Sequence, residues 1–117
     1  MSRQTREREI EARERWPTLL SLLQSYFGLG VFHRFDTLPE AKRAAVSAHD
    51  VSTQKRLVGE WTDWNTSVGA RANLPDYLDA YGVDLDFESD AEARQFMNEI
   101  YDELIVAIRQ SEPGWKS

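Results

Sequence analysis

Ala93, Phe96, Ile100, Leu104, Ala107 and Ile108 fall at steps of three and four, with Ile108 beside Ala107. That period puts them on one face of a helix. Ser89-Asp-Ala-Glu92 stands just ahead of them with the spacing of a capping box, and Pro113 and Gly114 follow as stop signals. A second stripe, Leu19, Leu20, Leu22, Leu23, Tyr26 and Phe27, has the same period and ends at Gly28 and Gly30. Two long amphipathic helices in a chain of 117 residues leave room for one domain built by packing helix on helix.

The intervening sequence fits that scheme. Thr37-Leu-Pro-Glu40 is another capping box, and Ala41, Ala44, Ala45 and Ala48 behind it form a small-residue face. A helix starting near Ser52 carries Leu57, Trp61, Trp64 and Val68 at steps of four, three and four. Asn73 is placed to cap a short helix with Leu74, Tyr77, Leu78 and Tyr81 inward, stopped by Gly82. Residues 28–36 read as a loop or short extended segment anchored by Val31, Phe32 and Phe35, and only residues 83–87 have strand character. The expectation is an all-α single-domain bundle of about five helices, residues 16–117, preceded by a charged helical arm over residues 1–15. Pro17 either opens the leucine helix or kinks a longer one starting near Thr5. In the arm, Glu9–Arg13 and Glu11–Arg15 are spaced for solvated i,i+4 pairs, and the interleaved glutamates argue against a nucleic-acid arm.

With no cysteine in the chain, a disulfide framework and a thiolate metal site are both excluded. The charged N-terminus does not resemble a secretory signal, and no apolar run spans a membrane, so a cytoplasmic protein is expected. Charge is unevenly spread. Residues 1–56 carry 10 Lys/Arg against 7 Asp/Glu, whereas residues 57–117 carry 4 against 13. An acidic half repels a phosphate backbone and attracts a basic protein, although acids also serve solubility alone.

Catalytic patterns are missing. Asp84, Asp86, Glu88, Asp90 and Glu92 alternate with other residues, but a calcium loop starting at Asp84 would need glycine at Ser89 and glutamate at Gln95. His33 and His49 lack an accompanying nucleophile motif and read as surface or capping residues. The glycines form neither a P-loop nor a dinucleotide fingerprint. The chain therefore reads as no enzyme, with no cofactor, no metal site and no small-molecule substrate. The remaining signal is aromatic. Trp61 and Trp64 suit either core packing or a groove edge. Tyr77 and Tyr81, beside Asp76 and Asp79, are equally able to pack or to hold a partner's Lys and Arg.

The stretch WPTLLSLLQSYFGLGVF, residues 16–32, resembles the opening of a family of immunity proteins from bacterial contact-dependent growth inhibition systems. Its members begin with aromatic-proline-x-leucine and a leucine helix ending in an aromatic pair. The likeness continues through Arg56-Leu-Val-Gly-Glu-Trp61, a Leu-x-x-Tyr-Gly segment from Leu78 to Gly82, and the C-terminal helix over residues 91–108. Two positions depart from the pattern. Gly28-Leu-Gly-Val31 stands where an acidic residue follows the aromatic pair, and Phe96-Met97 stands where the last helix has tryptophan.

The resemblance implies one-to-one binding of a cognate toxin domain, often a nuclease, with an RNase taken over a DNase. An acidic inhibitor would occlude the basic active site of such an enzyme. The toxin-facing residues expected on this basis are Asp76, Tyr77, Asp79, Tyr81, Asp84, Asp86 and Glu88, with Trp61 and Trp64. The alternative is a small helical adaptor or regulator of a basic cellular partner.

Overall fold

The computed structural model describes residues 2–116. Among them the chain forms seven α-helices and one π-helical turn, with no strand. The all-α class is as expected, and the helix count exceeds five because the arm contributes a helix of its own and a short helical turn forms at residues 31–34, where a loop was expected. The helices are α1 (Arg3–Arg15), α2 (Pro17–Phe27), α3 (Val31–Arg34), α4 (Leu38–Ser47), α5 (Val51–Trp64), α6 (Leu74–Ala80) and α7 (Asp90–Ser111). The π turn, Asn65–Gly69, continues α5.

Pro17 breaks the chain between α1 and α2. Trp16, at φ −134° and ψ 55°, is the C-cap of one helix and the N-cap of the next. α1 is docked, not a free arm: Ala12 is only 1% exposed, and the guanidinium of Arg8 lies 4.3 Å from the centre of the Tyr77 ring on α6. Such a stacked cation favours the docked position at the helix surface.

α7 is the central strut and packs chiefly on α5 and α4, while α2 packs on α4 and α5. The stripes read from sequence face inward as their period requires: Leu19, Leu22, Leu23 and Phe27 on α2, and Ala93, Ile100, Leu104 and Ile108 on α7, are at most 1% exposed. The small-residue face of α4 buries Ala41 and Ala45 completely, which allows close approach of α7.

Both capping boxes form with a shifted return bond. The Glu40 amide donates to the Thr37 hydroxyl at 3.3 Å, and the Glu92 amide donates to the Ser89 hydroxyl at 3.2 Å. The glutamates then accept from the residue before the cap: Glu40 from the Asp36 amide at 3.2 Å and Glu92 from the Glu88 amide at 2.7 Å. Asp50 caps α5 by accepting from the Thr53 amide at 2.8 Å, a bond that holds its carboxyl below the ordinary value.

Two helix starts are served from elsewhere in the fold. Asn73 does not cap α6 with its side chain; it sits in the left-handed region at φ 66°. The Asp90 carboxylate instead accepts from the Asn73 amide at 3.2 Å and the Leu74 amide at 2.9 Å. On α2, the Leu19 amide donates to Glu60 of α5 at 2.9 Å. Both arrangements satisfy donors that a helix start leaves open.

Residues 83–88 form no strand. They run as coil after Gly82, whose φ of 91° only glycine adopts without strain. The coil is tied to the end of α2 by the Asp84 amide, which donates to the Phe27 carbonyl at 2.8 Å. Close by, Gly28 is required by contact, because a Cβ there would lie 2.6 Å from the Gln24 carbonyl oxygen. Residues 28–36 also differ from expectation. Val31–Arg34 is one helical turn that buries Val31 but leaves Phe32 59% exposed. No helix among the described residues is long and apolar enough to cross a membrane.

Candidate functional site: an acid-rimmed groove

Three of the expected contact residues belong to the core. Trp61 is 6% exposed, Trp64 1% and Tyr81 1%. Their polar atoms are used internally: the Trp61 indole N–H donates to the Met97 carbonyl at 2.9 Å, and that of Trp64 donates to the Tyr81 hydroxyl at 3.3 Å. The Trp61 ring also packs on Tyr101 with centroids 4.5 Å apart. Burial pushes the Tyr81 phenol well above its ordinary value. Buried aromatics with satisfied N–H and O–H groups are packing residues, so these three leave the candidate surface.

Tyr77 is half-buried in the cleft between α1 and α6, its hydroxyl accepting from Arg71 at 3.0 Å while Arg8 covers its face. That cleft, about 300 Å³, is lined by charges of both signs, with Arg71 and Glu11 paired across it at 3.9 Å. Tyr77 is therefore committed to holding α1.

The acids behave differently. Asp76, Asp79, Asp84, Asp86 and Glu88 are all exposed. Among the described residues none of them makes an ion pair within 4 Å. Asp90 and Glu92, by contrast, accept from backbone amides at helix starts. No group of three or more His, Asp or Glu suited to a metal ion occurs among the described residues.

Asp86 stands on the edge of an open groove of about 480 Å³ formed between α3, α4, the coil and α7. Phe32, Leu38, Leu85, Phe87 and Phe96 supply its apolar surface. Phe96 is wedged in place, with ring centroids 5.0 Å from Phe27 and 5.3 Å from Phe87. The single cation of the lining, Lys42, is 4% exposed and donates to Glu99 at 2.9 Å while lying 5.3 Å above the Phe96 ring. This hydrogen bond holds the Glu99 carboxyl below its ordinary value. Lys42 and Glu99 neutralise one another, so Asp86 and Glu92 stand on the rim without an ion pair, although Glu92 accepts from the Glu88 amide.

A smaller depression of about 190 Å³ adjoins the groove and shares Phe32 with it; Leu29 and Asp84 line its walls. Leu29 is 91% exposed and the shared Phe32 59%, so two bare apolar side chains stand at these depressions. Neither is lined by Asp76 or Asp79, and the acid-rich region therefore divides into a groove part, Asp84 and Asp86, and an α6 part.

Phe32 and Leu29 were not among the expected contact residues. The signal available for them was weak, because a four-residue turn is too short for hydrophobic period to show which side chains face out. The histidines have modest roles. His49 donates through Nδ1 to the Ala45 carbonyl at 2.7 Å at the end of α4, and His33 is exposed.

No family model matches the chain, no curated protein matches it, and no solved structure matches it.

Proposed function

We propose that this chain is an immunity protein that neutralises a basic toxin domain, of the kind delivered by contact-dependent growth inhibition systems, through one-to-one binding. The observation that carries the reading is the set of exposed carboxylates, Asp79 on α6 and Asp84, Asp86 and Glu88 on the coil, none of which has an ion-pair partner within the described chain. Like charges left together repel one another and cost stability, so an external cation is the natural complement. A nuclease gripping phosphate must present such cations, and an acidic surface laid over them blocks the substrate. Steering by complementary charge raises association to about 10⁸–10⁹ M⁻¹s⁻¹ at low salt. A standard interface of roughly 800 Å² per partner is a modest share of the 6703 Å² accessible surface.

The test is co-expression with a candidate toxin domain, taken from the C-terminus of any large exported protein whose reading frame stands immediately upstream. Rescue of growth and co-purification at one-to-one stoichiometry are expected. Replacing Asp79, Asp84, Asp86 and Glu88 together by lysine should weaken that complex at least a hundredfold while leaving the circular dichroism spectrum unchanged. Capture of a basic cellular protein without any toxin rescue would instead favour a regulatory adaptor.

A further inference from the structure

We infer that the groove between α3, α4, the coil and α7 is an anchor site for an apolar or aromatic side chain flanked by Lys or Arg on a partner segment. The inference rests on the reading of a basic protein partner and adds what that partner must place there.

Apolar and acidic surface are combined in one place. The floor is Leu85, Phe87 and Phe96, with Phe32 standing 59% exposed at its edge. An exposed aromatic beside a wedged aromatic floor is the composition of an interface centre, where a few large side chains carry most of the binding energy. The volume of about 480 Å³ falls within the roughly 300–1,000 Å³ of pockets that enclose a ligand. It thus admits projecting side chains.

The rim selects what enters. Because Lys42 is spent on Glu99, Asp86 and Glu92 have no cation within 4 Å among the described residues. A wholly apolar segment would strip water from these carboxylates and return no hydrogen bond. A phosphate or an acidic peptide would be repelled. A segment that pairs an apolar anchor with a neighbouring Lys or Arg satisfies both parts at once, and such charge-assisted bonds are the strong ones.

The groove is also already shaped. Phe96 is held by two rings, Lys42 is locked, and the coil is tethered through the Asp84 amide to Phe27 at 2.8 Å. Docking then requires little ordering of the receptor, which reduces the entropic cost of association.

The probe is a set of three synthetic nonapeptides: alternating lysine and phenylalanine, alternating lysine and serine, and alternating glutamate and phenylalanine. Each is titrated into the full chain and followed by amide chemical shifts. The lysine–phenylalanine peptide should saturably shift amides of residues 29–38 and 85–96, binding at least tenfold tighter than the other two. Phe32→Ala and Asp86→Lys, both at exposed positions, should each weaken it at least fivefold with unchanged helicity.

Shifts confined to other surfaces, equal binding of the lysine–serine peptide, or indifference to both substitutions would overturn the inference. So would groove shifts that depend on protein concentration without peptide, which would assign the surface to a second copy of the chain. Groove binding without toxin neutralisation would end the toxin reading and leave the anchor site standing. Full toxin neutralisation by Phe32→Ala and Asp86→Lys variants that still bind the lysine–phenylalanine peptide as the unchanged chain does would end the anchor site alone.

Discussion

α5 and the coil over residues 83–88 both set acids beside aromatics, yet they use them in opposite directions. On α5, Glu60 accepts from the Leu19 amide, and Asp63 accepts from the Trp16 indole at 2.7 Å and from Arg15 at 3.1 Å. Trp61 and Trp64 beside them point into the core. On the coil, Leu85 and Phe87 are half-buried at the groove, and the carboxylates of Asp84, Asp86 and Glu88 face solvent without an ion pair. Composition alone does not separate scaffold from surface. What separates them is whether the complementary donor already lies within the chain.

That contrast can be broken by substitution. The largest effect is expected at Trp64: Trp64→Ala should cost about 3–5 kcal/mol of unfolding free energy, measured by urea denaturation. Next comes the four-lysine variant at Asp79, Asp84, Asp86 and Glu88. Its hundredfold loss of partner affinity corresponds to about 2.8 kcal/mol, whereas each residue changed singly should alter unfolding by no more than about 0.5 kcal/mol. If single changes on the coil destabilised the fold as strongly as Trp64→Ala, the division between the two regions would be wrong.

Asp90→Ala should cost about 0.5–2 kcal/mol by orphaning two amides of α6, although Asp90 lies in the same acid-rich stretch as the free carboxylates. The smallest effect is on pH dependence. Asp50 and Glu99 are both held below their ordinary values of 3.8 and 4.5, by the Thr53 backbone bond and by Lys42 respectively. Their contribution is complete above those values and is lost as pH falls through the lowered native ones. Asp50→Asn and Glu99→Gln should therefore flatten the acid limb of a stability–pH curve.

Local physics was legible in the order of residues. The stripes on α2 and α7 and the caps at Thr37 and Ser89 depend on neighbours three or four positions away, and the structure realises them. The period of α5 assigned Trp61 and Trp64 to the apolar face, but a period cannot tell a core face from a groove edge. Caps supplied across the fold escape any window of sequence, which is why Asn73 drew the capping role that Asp90 performs. The exposure of Phe32 was hidden for a related reason: α3 is a single turn, and its outward side depends on where α4 and the coil lie. The free state of Asp84, Asp86 and Glu88 agrees with the one-sided charge of the stretch, while the apolar ground beside them came only with the assembled helices.

The remote cap at Asp90 has a consequence for how the native state opens. A helix capped by its own neighbours can fray alone, because nothing distant changes when its first turn loosens. The start of α6 cannot, since its acceptors stand on the first residue of α7, 16 and 17 positions along the chain. Opening the first turn of α7 withdraws them, so the two helix starts form one cooperative unit in spite of the coil between them. In hydrogen exchange, the Leu74 amide should then carry the opening free energy of the α7 start, and Asp90→Ala should release Leu74 to exchange faster while the amide of Glu40, capped locally by Thr37, keeps its rate.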